Sequence, residues 1–466
     1  MMAAVILLGC LTAAMVRAAD MDPLDTGRYV SAGPANGIGS PAALCAPITS
    51  PLGTLTLLTA AEIALCNNPQ TRAAWINTRI AAAQLGISRA SYLPSVSLSA
   101  TRQWNRSGSA GIAGSGASAA ETNIALSLQY LLFDFGGRSA QVESDREALI
   151  AADLSQDAEI QSVLFSTIQD YYDLLATTES VNAARATLHS GQVAYAAAVA
   201  QHQAGTVTLS DVLQAQTALS QARFTLTQIL GAMRTARGTL ANIMGLPADT
   251  PFAVTTPAPA PANPDMQATL KELVARAART RPDLAAARAE VQSAKAGITV
   301  VKSSGLPTLS AFTTPQYVDS NVFGGEHQTV FGLSLSVPLF SGFSTTYQIH
   351  KARAELDSAK AARDQLANQV SLQVFDAYTA YLTDRQALAA SSDLVASAKS
   401  SAQLALGRYQ AGVGNILDVL SANAALAAAR SEDIQTRYDL HITQASLAEA
   451  VGNLNLGDFG QSRGNQ

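Results

Sequence analysis

Apolar and polar residues alternate along four short stretches of the chain, and between those stretches the period lengthens to that of a helix. After Pro94, Val96, Leu98 and Ala100 fall on one side, with Ser95, Ser97, Ser99 and Thr101 on the other. Ile124, Leu126, Leu128 and Tyr130 then oppose Ala125, Ser127 and Gln129. A third stretch, "LPTLSAFTT", follows Gly305, and in a fourth Phe331, Leu333, Leu335 and Val337 oppose Gly332, Ser334 and Ser336. Period two predicts strands with one apolar and one small polar face. The intervening Ala-rich segments predict helices over roughly 56–91, 138–204, 267–304 and 344–411, with one further helix closing each half. Pro69 and Pro282 mark a kink or start in two of them. "SGSAGIAGSGAS" and "PQYVDSNVFGGEHQ" are expected as the loops between strands.

The two halves are copies. "FDFGGRSAQ" starts at Phe133 and "FSGFSTTYQ" at Phe340, an offset of 207 that persists downstream. "QAGTVTLSDVLQAQTAL" lies on "QAGVGNILDVLSANAAL", placing Gly205 on Gly412 and Asp211 on Asp418. Upstream the offset is 213: "NPQTRAAW" lies on "RPDLAAAR", and Pro94 on Pro307. The six-residue difference falls wholly between the strands, where surface loops tolerate a change in length. The chain is thus a tandem duplication, joined by a stiff Pro-rich stretch, "GLPADTPFAVTTPAPAPANPD" (245–265).

A sheet with one wet face accounts for the alternation in a soluble protein. Two features favour lipid outside and water inside. The polar face is uniformly small, and each strand has the length an outer-membrane strand needs. Four strands cannot close a barrel, and hydrocarbon forbids open edges, so this reading requires an oligomer that shares its strands. A helical pattern of about 65 residues would be roughly 100 Å long and implies coiled-coil-like packing.

Composition narrows the choice. Charged residues make up only 14 % of the chain and the net charge is −5, with no basic patch, so nucleic-acid binding lacks its electrostatic footprint. "AAVILLGCLTAAMV" followed by "VRAAD" reads as a signal segment cleaved after Ala18 or Ala19. The alternative is a lipobox, Leu7-Leu8-Gly9-Cys10, with Cys10 acylated. Either way Cys45 and Cys66 remain as an even pair in an oxidising compartment, which favours a disulfide over two buried thiols. His189, His202, His327, His350 and His441 have no ligand spacing, so no metal or other cofactor is expected. No nucleophile elbow, phosphate loop or paired carboxylates stand out.

With the duplicated layout, "LLFDFGGR", "VPLFSGF", "RPDL" and the twin "AG…DVL" segments in place, the chain resembles the TolC family of outer-membrane efflux ducts from about Leu55 to Leu454. The resemblance implies an α+β membrane protein, a homotrimer in which each protomer gives four strands to one 12-stranded β-barrel continued by a periplasmic α-helical tunnel. It implies a passive exit duct with no catalysis and no cofactor, working with a periplasmic adaptor and an inner-membrane pump that supplies the energy. The cargo would be drugs, other small molecules or secreted protein. A non-conducting structural or adhesive envelope protein is the competing function. The division expected is a signal peptide (1–19), an N-terminal periplasmic segment (20–55), repeats at 56–247 and 266–455, a linker (248–265) and a tail (456–466).

The twin turns carry the candidate site. Gly205 and Gly412 suit the left-handed position after a helix end, and Thr208 and Asn415 suit the cap of the next helix. Asp211 and Asp418 stand three residues on, in a variant of the capping box, a local role that could by itself explain both. The family implies a second role. There these turns form the periplasmic mouth, and residues matching Tyr409, Asp211 and Asp418 hold it shut, so a trimer would ring it with six carboxylates. Two departures bear on that latch: Gly414 stands at the family's closing arginine and Ser421 at a second lumen acid, and the position of the first copy that matches Tyr409 is His202.

Overall fold

The computed structural model describes residues 22–31, 33, 52–107, 117–257, 268–320 and 324–455. They fall in two compact units. One holds the described residues within Met1–Val30, Asn77–Asp153 and Ala286–Asp364; the other holds those within Ser31–Ile76, Leu154–Ala285 and Gln365–Gln466.

Each half yields the same elements. The first has α1 (Leu57–Asn67), α2 (Pro69–Ala90), β2 (Ser95–Ser107), β3 (Ala117–Phe133), α3 (Gly137–Gln203) and α4 (Leu209–Ile243). The second has α5 (Leu270–Thr280), α6 (Pro282–Ser303), β5 (Thr308–Ser320), β6 (Gly324–Ser336), α7 (Ser344–Gln410) and α8 (Ile416–Val451). The offsets of 213 and 207 superpose every boundary except two: α8 is one residue longer than α4, and β6 is four residues shorter than β3. Both α3 and α7 run 67 residues.

Two expectations need correction. The first helix of each half is two helices, broken at Asn68 and Arg281, because a proline follows and disfavours helical backbone in the residue before it. Asn68 then turns its side chain into a cap, its Oδ1 accepting from the Gln70 N–H at 2.7 Å. The strands are also longer than the apolar alternation, since Pro315–Ser320 and Gly324–Gln328 are ladder rather than loop. Hairpin pairing continues through these polar residues as far as Ser320↔Gly324. Pro315 is tolerated because the β3–β5 register passes from Ala125↔Gln316 to Leu128↔Thr313 without using it.

In the first unit the four strands form one antiparallel sheet in the order β2-β3-β5-β6. Arg138 fixes the corner between β3 and α3. Its guanidinium donates to the Leu131 carbonyl at 2.7 Å, meets Asp134 at 3.3 Å and covers the Tyr92 ring.

In the second unit the helices pack alanines against larger aliphatics, with Ala60, Ala64, Ile160, Leu164 and Leu240 fully enclosed. Tyr171 anchors this core. Its hydroxyl is shared between the Thr255 carbonyl (2.6 Å) and the Leu55 carbonyl (3.0 Å). Leu55 lies in, and Thr255 follows, a parallel pair of two-residue strands, β1 (Thr54–Leu55) and β4 (Ala253–Val254), so part of the Pro-rich linker is paired backbone. The signal segment, Cys10, Cys45 and the tail lie outside the described residues. Cys66 is disulfide-bonded.

Candidate functional site

Pairing sorts the sheet into two faces. Directly opposed residues of an antiparallel ladder share a face, so Val96↔Leu128↔Thr313↔Phe331 and Tyr130↔Ala311↔Leu333 are one side. On that side Phe331, Leu333 and Leu335 are 80 %, 68 % and 67 % exposed. Apolar surface of this extent is unfavourable in water by about 25 cal/mol per Å², and it marks a face that something apolar covers. Aromatic residues bracket it: Trp104, under the Arg102 guanidinium, towards the hairpin ends, and the Phe133–Phe135 and Phe340–Phe343 pairs at the helix corners. Such belts are the mark of a membrane-spanning sheet. The opposite face carries Ser95, Ser97 and Ser99, with Gln103 bonded to Glu121 (3.2 Å) and Gln316 to Gln328 (2.6 Å). Among the described residues β2 and β6 have no partner on their outer edges.

The paired turns lie in the second unit. Both long helices end on a glycine with φ of +76°, Gly205 and Gly412. The next N–H then reaches back five residues, Thr206 to Gln201 and Val413 to Arg408, each at 3.0 Å. This satisfies carbonyls that a helix end otherwise leaves open. The Gln201 amide crosses to the Tyr409 carbonyl at 2.6 Å and ties one turn to the other. Beneath them Ala194, Ala198, Val212, Ile416 and Val419 pack together.

The two aspartates are not equivalent here. Asp211 accepts the Thr208 N–H at 3.0 Å and so caps α4. In the second turn Asn415 caps α8 by accepting the Leu417 N–H at 2.9 Å. Asp418 therefore closes no capping box, contrary to the sequence expectation. It is exposed, and its carboxylate has no partner within the described chain.

Tyr409 and His202 also part ways. Tyr409 is 1 % exposed and its buried hydroxyl lacks a hydrogen-bond partner. Burial, with Asp211 nearby, pushes its pKa up, so it is a neutral phenol at any ordinary pH. His202 is exposed, and its Nδ1 lies 3.0 Å from the Val207 carbonyl of its own turn. Gly414 sits too close to the chain for a side chain, since a Cβ there would come within 2.8 Å of the Tyr409 nitrogen. The Gln201 tie was not anticipated, because its counterpart in the repeat is Arg408 and no pattern flags it. Among the described residues no His, Cys, Asp and Glu cluster could hold a metal ion.

The profile of the outer membrane efflux protein family matches residues 60–246 and 273–453. The chain belongs to that family. Protein CyaE of Bordetella pertussis is 30 % identical over 418 residues, 88 % of this chain and 86 % of its own length. The outer-membrane channel CmeC of Campylobacter jejuni is 20 % identical with a TM-score of 0.75, over 88 % of this chain and 87 % of its own. The channel OprN gives a TM-score of 0.76 at 20 % identity, over 85 % of this chain and 90 % of its own. This efflux-family chain is an outer-membrane duct of the TolC type, a passive channel and not an enzyme. Channels of the family are trimeric and work with periplasmic adaptors and inner-membrane pumps.

Proposed function

We propose that three copies of this chain, four strands from each, close one 12-stranded barrel, and that their helices form the periplasmic tunnel leading into it. The observation that carries this reading is a sheet with an exposed apolar outer face, a small polar inner face and two unpaired edges. Lipid satisfies the apolar face, and only closure satisfies the edges. The duct takes small molecules or secreted protein from a periplasmic adaptor and an inner-membrane pump, and it adds no energy of its own.

Asp211 and Asp418 line the mouth in this account, with Asp418 the freer of the two. A narrow opening with low-dielectric walls amplifies the field of such carboxylates and favours cations. Cys45 is assigned as the partner of Cys66, closing a loop of about 20 residues and contributing on the order of 3 kcal/mol. Mass spectrometry without reduction that finds Cys45 free removes this assignment.

Purified protein in detergent should be a trimer that produces discrete single-channel currents in planar bilayers. A stable monomer with full strand content contradicts the shared barrel. A folded trimer that never conducts leaves a structural envelope protein instead.

A further inference from the structure

The two turns of one chain are joined by a contact that neither capping nor packing requires. The Gln201 amide nitrogen donates to the Tyr409 carbonyl at 2.6 Å, across 208 residues of sequence. Among the described residues no other hydrogen bond or ion pair runs between the turn at 201–211 and the turn at 408–418. Each group that could join them instead is spent or missing. The Asp211 carboxylate accepts the Thr208 N–H of its own turn. The Tyr409 hydroxyl is enclosed without a hydrogen-bond partner. Position 414 is a glycine with no room for a side chain. The contacts that the family resemblance implied, through that hydroxyl and the aspartates, are therefore not made within this chain.

Resting on the reading of these turns as the mouth of a trimeric duct, we infer that Gln201 holds the two turns of each chain together and keeps the mouth narrow. It is a positioning residue, acting through a main-chain acceptor. Tyr409 lies in the last turn of α7, where helix carbonyls lack intrahelical donors and carry the negative end of the dipole. Its carbonyl accepts the Gly412 N–H at 3.0 Å, and the Gln201 amide takes the second lone pair. Both ends of the bond are anchored. The Tyr409 ring is enclosed among Ala194, Ala198, Val212 and Ile416, which fixes the residue. The Gln201 carbonyl is gripped by the Thr206 N–H at 3.0 Å and by the Thr206 hydroxyl at 2.9 Å. The turns can part only when the bond between them breaks.

The duplication shows that this tie is no by-product of turn geometry. The equivalent of Gln201 is Arg408, and the equivalent of Tyr409 is His202. Arg408 is exposed, and its guanidinium has no hydrogen bond, ion pair or ring contact among the described residues. The His202 carbonyl accepts the Gly205 N–H at 2.9 Å and no side chain. The tie thus runs in one direction only. An amide on a carbonyl carries no net charge, so salt screens it far less than it would screen a carboxylate–arginine latch.

Single-channel recording of the full-length trimer in planar bilayers tests the inference. Gln201→Ala should raise the ratio of high- to low-conductance dwell time by about fivefold or more, each chain having lost one hydrogen bond. Gln203→Ala, which removes an exposed glutamine two residues on, should record as wild type. Gln201→Glu keeps the length, but at pH 7 it sets a carboxylate against a carbonyl and should open at least as far. At about pH 4 its protonated carboxyl can donate to the Tyr409 carbonyl, and wild-type dwell times at that pH should return. A side chain that merely supports the fold would give no such reversal. Gln201→Ala that records as wild type overturns the inference, as does Gln201→Glu that stays open at about pH 4. Equal opening in Gln203→Ala overturns it too. So does opening in Tyr409→Phe without opening in Gln201→Ala, which would return the closure to the hydroxyl. If wild-type protein forms no trimer or no channel, the underlying duct reading fails first.

Discussion

The two helix turns descend from one sequence and share a backbone, yet they use their acidic residue in opposite ways. In the first, Asp211 is committed to the Thr208 N–H and braces α4. In the second, Asn415 takes over the cap and leaves Asp418 with no duty inside the chain. A cap needs one good acceptor, and once a residue at the cap position reaches the second helical N–H, the aspartate three places on is surplus to the fold. Duplication followed by one substitution can thus separate a structural acid from a functional one. The copies also diverge elsewhere on the long helices, where Asp170 of α3 corresponds to Ala377 of α7.

The largest expected effect separates the turns by space. Gly414→Ala should destabilise the second turn by about 1–3 kcal/mol, because its Cβ meets main-chain atoms that cannot retreat. Val207→Ala, at the equivalent place in the first turn, removes only two methyl groups and should cost about 1 kcal/mol or less. Thermal unfolding of both variants checks this, and equal losses would break the contrast. The same crowding explains why restoring an arginine at position 414 should reshape the turn rather than re-create a latch.

A second, smaller effect concerns pH. Burial, with Asp173 adding repulsion, raises the Asp170 carboxyl to about 6. The folded chain therefore holds this proton more tightly than the unfolded chain. The carboxylate penalises the fold above pH 6, and the penalty fades as pH falls from 6 towards the ordinary value. The melting temperature should rise as pH falls from about 6 to about 4, and Asp170→Ala, the residue of the other copy, should flatten that rise. A slope unchanged in the variant would assign it to other buried acids such as Glu449, which burial raises to about 7.

The smallest effect compares the aspartates themselves. Asp211→Ala loses a cap and should cost about 1 kcal/mol, while Asp418→Ala loses only its interaction with the helix dipole, a few tenths. Denaturant midpoints that agree for the two variants would place both residues in the same structural role.

Much of the fold was legible in the sequence because the chain states it twice. Two offsets, read from Phe133 against Phe340 and Pro94 against Pro307, locate elements that agree almost residue for residue. The breaks at Asn68 and Arg281 were legible only as nearby prolines. The outer halves of the hairpins were not read as strand, because ladder pairing there is carried by polar residues and Gly324, which give no apolar alternation. The site was half legible. Glycine and cap positions follow from local chemistry, but the choice between Asn415 and Asp418 as acceptor depends on side-chain geometry. Whether Tyr409 faces solvent or the core depends on the neighbouring helices.

The most direct test of the account is the reversal potential across a planar bilayer under a potassium chloride gradient, measured for wild type, Asp211→Asn, Asp418→Asn and the double variant. Asparagine keeps the size and much of the capping ability, so all four should assemble and conduct. Cation preference should fall more for Asp418→Asn than for Asp211→Asn and furthest in the double variant, with block by multivalent cations from the periplasmic side weakening in step. An unchanged reversal potential in a well-folded double variant would show that neither carboxylate lines the conducting path.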